Sequence, residues 1–138
     1  MSKKTFIYFG IVIVFLAAAV PFLVFDSNGK ATANGQEAPP GLKEGQELFK
    51  INCGTCHTLY AAGTDGNYGP DLDELLAPTG PPEGDKAADT IKANKGRVLN
   101  AIENGINSEY PGRMPPGILG QTQAHEVAEY VATVAGEG

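Results

Sequence analysis

Residues 51–58 read Ile-Asn-Cys-Gly-Thr-Cys-His-Thr and hold both cysteines of the chain and one of its two histidines. Cys53 and Cys56 stand at i and i+3, so on a helical turn they face the same side. His57 follows directly. Two thiols one turn apart are placed to form thioethers with the two vinyl groups of a haem, and the adjacent imidazole then reaches the iron from one face of the ring. Cys-x-x-Cys-His is the attachment signature of c-type haem. Rival chemistries lack their remaining parts. A thioredoxin-like redox pair needs a strand–helix–strand setting, and no run shows sustained period-two alternation. A structural zinc needs four ligands at suitable spacing, whereas only Cys53, Cys56, His57 and His125 are present, with no second paired motif. A disulfide across so short a loop would be strained and would leave His57 without a role.

A sixth iron ligand follows from counting, and the count depends on the N-terminus. Lys3 and Lys4 precede residues 6–25, which carry no charge. An uncharged run of this length is long enough to cross a hydrocarbon core as a helix; Gly10 and Pro21 are tolerated in such helices. The alternative is a cleaved signal peptide, with Ala31-Thr32-Ala33 as the small-residue cleavage site. Either way the basic end stays in the cytoplasm and the rest of the chain is exported. Of the two methionines, Met1 is then on the wrong side, and Met114 is the only exported thioether. It sits in Arg113-Met114-Pro115-Pro116-Gly117, a rigid loop suited to holding one side chain still. Its bland alternative is a gap-filling core methionine. His125 is the rival nitrogen ligand, one residue off an apolar stripe and beside Glu126.

The elements that must position these groups are short. Residues 26–41 have almost no apolar content and read as a flexible tether of about 20 Å r.m.s. between a membrane anchor at 1–25 and a domain at 42–138. Leu42, Gly45, Leu48, Phe49 and Asn52 have helical spacing and run into the cysteines. Residues 60–70 read as loop. Asp71 starts a short helix over 71–76. Residues 77–96 read as loop with a turn of helix at 87–93. Val98, Ala101, Ile102 and Gly105 mark a helix over 97–104, with Gly105 as an αL stop. Residues 106–120 are loop again, and Thr122 reads as the N-cap of a last helix. That helix carries the stripe Ala124, Val127, Ala128, Val131, Val134 and Ala135. Helices this short are marginal alone, so an all-α domain of this size needs a large apolar group at its centre.

Composition narrows the function. With 42% hydrophobic and 19% charged residues the chain is an ordinary folded type, while 18 glycines and 10 prolines point to long loops. The formal charge of −6 argues against a nucleic-acid partner, because that affinity comes mainly from Lys and Arg on phosphates.

Five motifs in order carry a family resemblance. They are Cys53-Gly54-Thr55-Cys56-His57; Gly69-Pro70-Asp71-Leu72; Val98-Leu99-Asn100-Ala101-Ile102-Glu103-Asn104-Gly105; Met114-Pro115-Pro116; and a final helix ending Val127-Ala128-Glu129-Tyr130-Val131. From about Gly41 to Ala135 the chain resembles the class I c-type cytochromes, small bacterial monohaem domains, and its N-terminus resembles that of their membrane-tethered members. Residues 77–96 match nothing distinctive. The resemblance implies an all-α class I cytochrome c fold behind one transmembrane helix, with one haem c bound covalently through Cys53 and Cys56. It implies His57 and Met114 as iron ligands, the Pro70 carbonyl as acceptor for the other ring nitrogen of His57, and Leu72 packed on the haem. It places Gly45, Phe49 and Tyr130 where the first and last helices cross. The expected function is single-electron transfer between respiratory or photosynthetic membrane complexes on the periplasmic side of the cytoplasmic membrane. The alternative is a fixed haem subunit of a larger membrane complex. The expected partners are the membrane and redox proteins; with both axial positions filled by the chain, no small-molecule substrate is expected.

Overall fold

The computed structural model describes residues 7–15, 17, 35–107 and 112–138. It divides into two units, residues 1–31 and 32–138. In the first, residues 7–15 and 17 are helical. The rest of the expected membrane span, residues 6, 16 and 18–25, lies outside the described residues, as do positions 26–34 of the expected tether. Among the described residues no helix is long and apolar enough to cross a membrane.

The second unit is built on four helices: α1 Lys43–Asn52, α2 Leu72–Leu76, α3 Ala87–Asn104 and α4 Gln121–Val134. A two-residue antiparallel pair, β1 Thr58–Leu59 and β2 Thr64–Asp65, follows the cysteines. The core sits along α4, whose Ala124, Val127, Ala128, Tyr130, Val131, Ala132 and Val134 are all buried. This helix is apolar beyond a single stripe because it packs on both α1 and α3. Glu44 in the first turn of α1 and Lys50 in its last complement the helix dipole. Asp71 caps α2: its carboxylate accepts from the backbone N–H groups of Asp73 at 2.8 Å and Glu74 at 3.3 Å.

At the crossing of α1 and α4 a Cβ on Gly45 would lie 2.4 Å from the Glu126 carbonyl oxygen and 2.8 Å from Tyr130 Cβ. The two backbones touch there, with the Phe49 and Tyr130 rings tilted at a centroid distance of 6.3 Å. Beside them Gln46 is buried. Its amide nitrogen lies 2.7 Å from Gln36 O, 3.1 Å from Ala61 O and 3.2 Å from the Tyr130 hydroxyl. Burial pushes the Tyr130 hydroxyl up to about 12, with the Gln46 hydrogen bond acting the other way. Sequence patterning did not single out Gln46.

Three differences from the sequence expectations have physical causes. First, residues 35–41 are docked rather than free. Gln36 N–H donates to Ala61 O at 3.0 Å, Ala38 is buried, and a Cβ on Gly35 would meet the Ala62 backbone at 2.8 Å. Gln46, on the helix that follows, supplies a donor that holds them. Second, α3 is one helix from 87 to 104 instead of a loop and a short helix. Gly96 costs about 1 kcal/mol relative to alanine but faces open space. The N-terminal half is anchored by Asn94, whose side-chain N–H donates to Leu76 O at 3.0 Å, and by the Lys95–Glu129 ion pair. Gly105 ends α3 with φ 69° and ψ 173°, a positive φ but not the αL stop expected. Third, the N-cap of α4 is Gly120 and not Thr122; Gln123 reaches back to accept from Gly120 N–H at 3.4 Å.

Gln46→Leu roughly keeps the volume but leaves the Tyr130 hydroxyl and the Gln36 carbonyl without their donor, while the Ala61 carbonyl keeps only the Gln36 N–H. We expect a loss of about 1–3 kcal/mol, read as a lower urea midpoint, with faster proteolysis within 35–41.

Candidate functional site

The cysteines lie on a turn that continues α1. Cys53 N–H donates to Phe49 O at 2.8 Å, and Cys53 O accepts from Cys56 N at 3.0 Å and His57 N at 2.9 Å. Local helical geometry therefore sets both thiols and the imidazole at one end of α1, as the spacing requires. Gly54 and Gly66 permit the tight return: a Cβ on Gly54 would meet Thr64 Cγ2 at 2.5 Å, and one on Gly66 the Thr55 and Cys56 backbone at 2.6–2.7 Å. Cys53 is buried and Cys56 exposed. Burial, with a smaller contribution from Cys56, pushes the Cys53 thiol up to about 11.

His57 Nδ1 lies 3.0 Å from the Pro70 carbonyl. With that nitrogen as donor, Nε2 is left as the free lone pair; ligand histidines are commonly oriented by such an acceptor. Gly69 makes room for the ring. A Cβ there would lie 2.5 Å from Cε1, 2.8 Å from Nδ1 and 3.0 Å from Nε2 of His57. Gly69 is thus more than part of a turn. Its φ is one that any residue adopts, and the nearest atoms a methyl group would meet are those of the imidazole. In Gly69→Ala we expect the ring to leave the Pro70 carbonyl and stability to fall by about 1–3 kcal/mol, seen as a lower denaturation midpoint and altered His57 ring resonances.

Met114 comes from a segment far along the chain from the cysteines. Its backbone pairs with Ile106, Ile106 N to Met114 O at 3.0 Å and Met114 N to Ile106 O at 3.2 Å, and Gly117 N–H donates to Ile102 O at 2.8 Å. Gly105 is packed under this loop: a Cβ would lie 2.6 Å from Met114 O. The end of α3 therefore carries the methionine.

One cavity of about 760 Å³ gathers Cys53, Cys56, His57, Pro70, Leu72 and Met114. All six candidate residues line it; the rival His125 does not, and is exposed on α4. Phe49, Val98, Ile102, Val127 and Val131 make the walls, and Arg97 and Arg113 bring positive charge to the lining. Leu72 is both buried core and cavity wall, so its two readings coincide. Protein interiors are close-packed, and an apolar space of this size in so small a domain fits the range of cofactor sites. The donor set fits a flat apolar disc: two thiols at one edge for thioethers, an imidazole nitrogen and a thioether sulfur for the iron. Haem suits this chemistry; a closed zinc site does not, because among the described residues no group of three or more His, Cys, Asp or Glu gathers to hold a metal ion.

Comparison with known proteins agrees. The family model described as cytochrome c matches residues 42–135. The crystal structure of the c-type cytochrome SorU from Sinorhizobium meliloti is similar at 35% identity and a TM-score of 0.50, over 69% of this chain and 91% of that one. The match spans all five motifs, from the helix before Cys53 to the end of α4. On this match, with one covalent haem c as its cofactor and Cys53 and Cys56 the cysteine pair for it, the chain belongs to the cytochrome c family, class I.

Proposed function

We propose that this protein is a membrane-tethered electron carrier that passes single electrons between respiratory or photosynthetic complexes on the periplasmic side of the cytoplasmic membrane. The observation that carries the reading is the joint presence of His57 and Met114 on one apolar cavity. With an imidazole and a thioether both supplied by the chain, no position is left for a substrate. The haem supplies a one-electron couple, and a methionine ligand raises its potential. The protein's own part is to hold the ligands still and keep water out. His57 is held by Pro70 and Gly69, Met114 by the Ile106 pair, and the walls are apolar. Tyr68, Leu75, Ile106 and Ile118 line the cavity and remain partly exposed, which suits contact with a protein partner. The tether rests on the uncharged run at 6–25.

From residue 26 onward 8 Lys/Arg stand against all 16 Asp/Glu of the chain, a net of −8. A partner with a basic docking patch and salt-sensitive association follows from that charge.

Two measurements test the reading. The reduced protein should stay low-spin and fail to bind carbon monoxide rapidly; a quickly formed carbonyl spectrum would point to an open site and a sensor or enzyme. Cells expressing the full chain should retain the haem protein in membranes after a high-salt wash, and proteolysis between residues 26 and 41 should release it. Recovery in the soluble fraction, with its N-terminus at Asn34, would replace the anchor with a cleaved signal.

A further inference from the structure

Two loops carry the candidate iron ligands' supports. The 66–71 loop packs on His57 through Gly69 and Pro70, and the 112–117 segment bears Met114. On its C-terminal side Met114 is secured by the Gly117–Ile102 hydrogen bond, and its own backbone pairs with Ile106. On its N-terminal side the contact is different. The Tyr68 ring packs closely on Gly112: a Cβ at Gly112 would stand 2.4 Å from Tyr68 Cδ1, 2.9 Å from Cε1 and 3.1 Å from Tyr68 O. Tyr68 is two residues before Pro70, and Gly112 two before Met114. This contact joins the two loops, and Tyr68 also lines the cavity.

We propose that Tyr68 is a positioning residue: its ring clamps the Met114 loop to the His57 loop and so sets how readily the thioether leaves the iron. Burial alone does not account for the residue, since its relative exposure is 56%. The contact is made by ring carbons rather than by the hydroxyl, so the ring is the working part. Closeness of this kind also explains why position 112 is glycine, whose φ there is otherwise one that any residue adopts. The proposal rests on Met114 being the sixth ligand.

The test is the rate at which imidazole displaces the thioether in the oxidised full-length holoprotein, followed by loss of the sulfur-to-iron charge-transfer band. Tyr68→Ala should speed displacement roughly tenfold, the change that one lost aromatic contact supports. Tyr68→Phe should behave as the parent. Gly112→Ala should also speed displacement, by pushing the ring aside. Combined with Tyr68→Ala it should add little, because the two changes remove one shared contact. A Tyr68→Ala rate within twofold of the parent would overturn the proposal, as would strict additivity in the double variant or a Phe variant as fast as the Ala variant. A faster rate matched by an equal fall in global stability, measured by urea titration, would also overturn it, since the ring would then be ordinary structure. Absence of the charge-transfer band from the parent would instead refute Met114 as ligand.

Discussion

Met114→Ala is expected to leave the haem on the chain and to change almost everything about the iron. The thioethers and His57 lie on α1's continuation and in the loop after it, tied to Phe49, Cys53 and Pro70 rather than to the 112–117 segment. Acid–acetone extraction should therefore still fail to remove the haem. The charge-transfer band should vanish, with water or an added imidazole taking the position. Such harder ligands favour oxidised iron, so the potential should fall by more than about 59 mV, one decade for a one-electron couple. Axial ligation commands a range of roughly 0.8 V, so a larger fall is in keeping. Stability should fall as well, because the segment beside Met114 would lose its tie to the iron and keep only its backbone hydrogen bonds to Ile106 and Ile102 and the packing of Tyr68 on Gly112. Absorption spectra and a redox titration beside the parent decide the matter. An unchanged band and potential would mean that another group binds the iron.

Gly45→Val should be the most damaging change far from the cavity's chemistry. Its Cβ would meet the Glu126 carbonyl at 2.4 Å, and a backbone oxygen in mid-helix has nowhere to go. The α1–α4 crossing must open, taking Phe49 off Tyr130 and loosening the Gln46 amide from its partners. Overpacking costs about 1–3 kcal/mol, and the broken buried hydrogen bonds add about 1–3 kcal/mol more. A small domain with total stability of roughly 5–15 kcal/mol would be left close to unfolding. The expected outcome is a sharply lower thermal midpoint and poor accumulation of holoprotein. A midpoint within a few degrees of the parent would show that the crossing is looser than its distances state.

Much of the site could be read before any coordinates, and the reason lies in how close its parts are along the chain. Cys53, Cys56 and His57 are placed by one helical turn. Asp71 caps a helix through residues two and three positions on. The apolar stripe of α4 repeats at helical spacing. Other features were less visible. Gly96 hid the continuity of α3, since a glycine in mid-pattern reads as a break. Thr122 looked like a cap because capping residues are common, but the actual start two residues earlier uses the Gln123 side chain. Gln46 had as its only signal a polar residue next to Gly45 on the buried side of α1.

What the sequence by itself determined is the local chemistry: the thiol pair with its adjacent imidazole, one thioether in a proline-rich loop, and an uncharged run ahead of them. Each is written within a few residues, where covalent geometry and helical periodicity leave little choice. Only the tertiary structure decided the rest. It brought Met114 to a cavity shared with His57, 57 positions earlier in the chain. It laid residues 35–41 across the amide of Gln46, brought Gly45 against Glu126, and set the Tyr68 ring on Gly112. All but the Gln46 contact join segments far apart in sequence. They depend on which backbones approach closely enough to exclude a Cβ, and that distance is set by the packing of the whole domain.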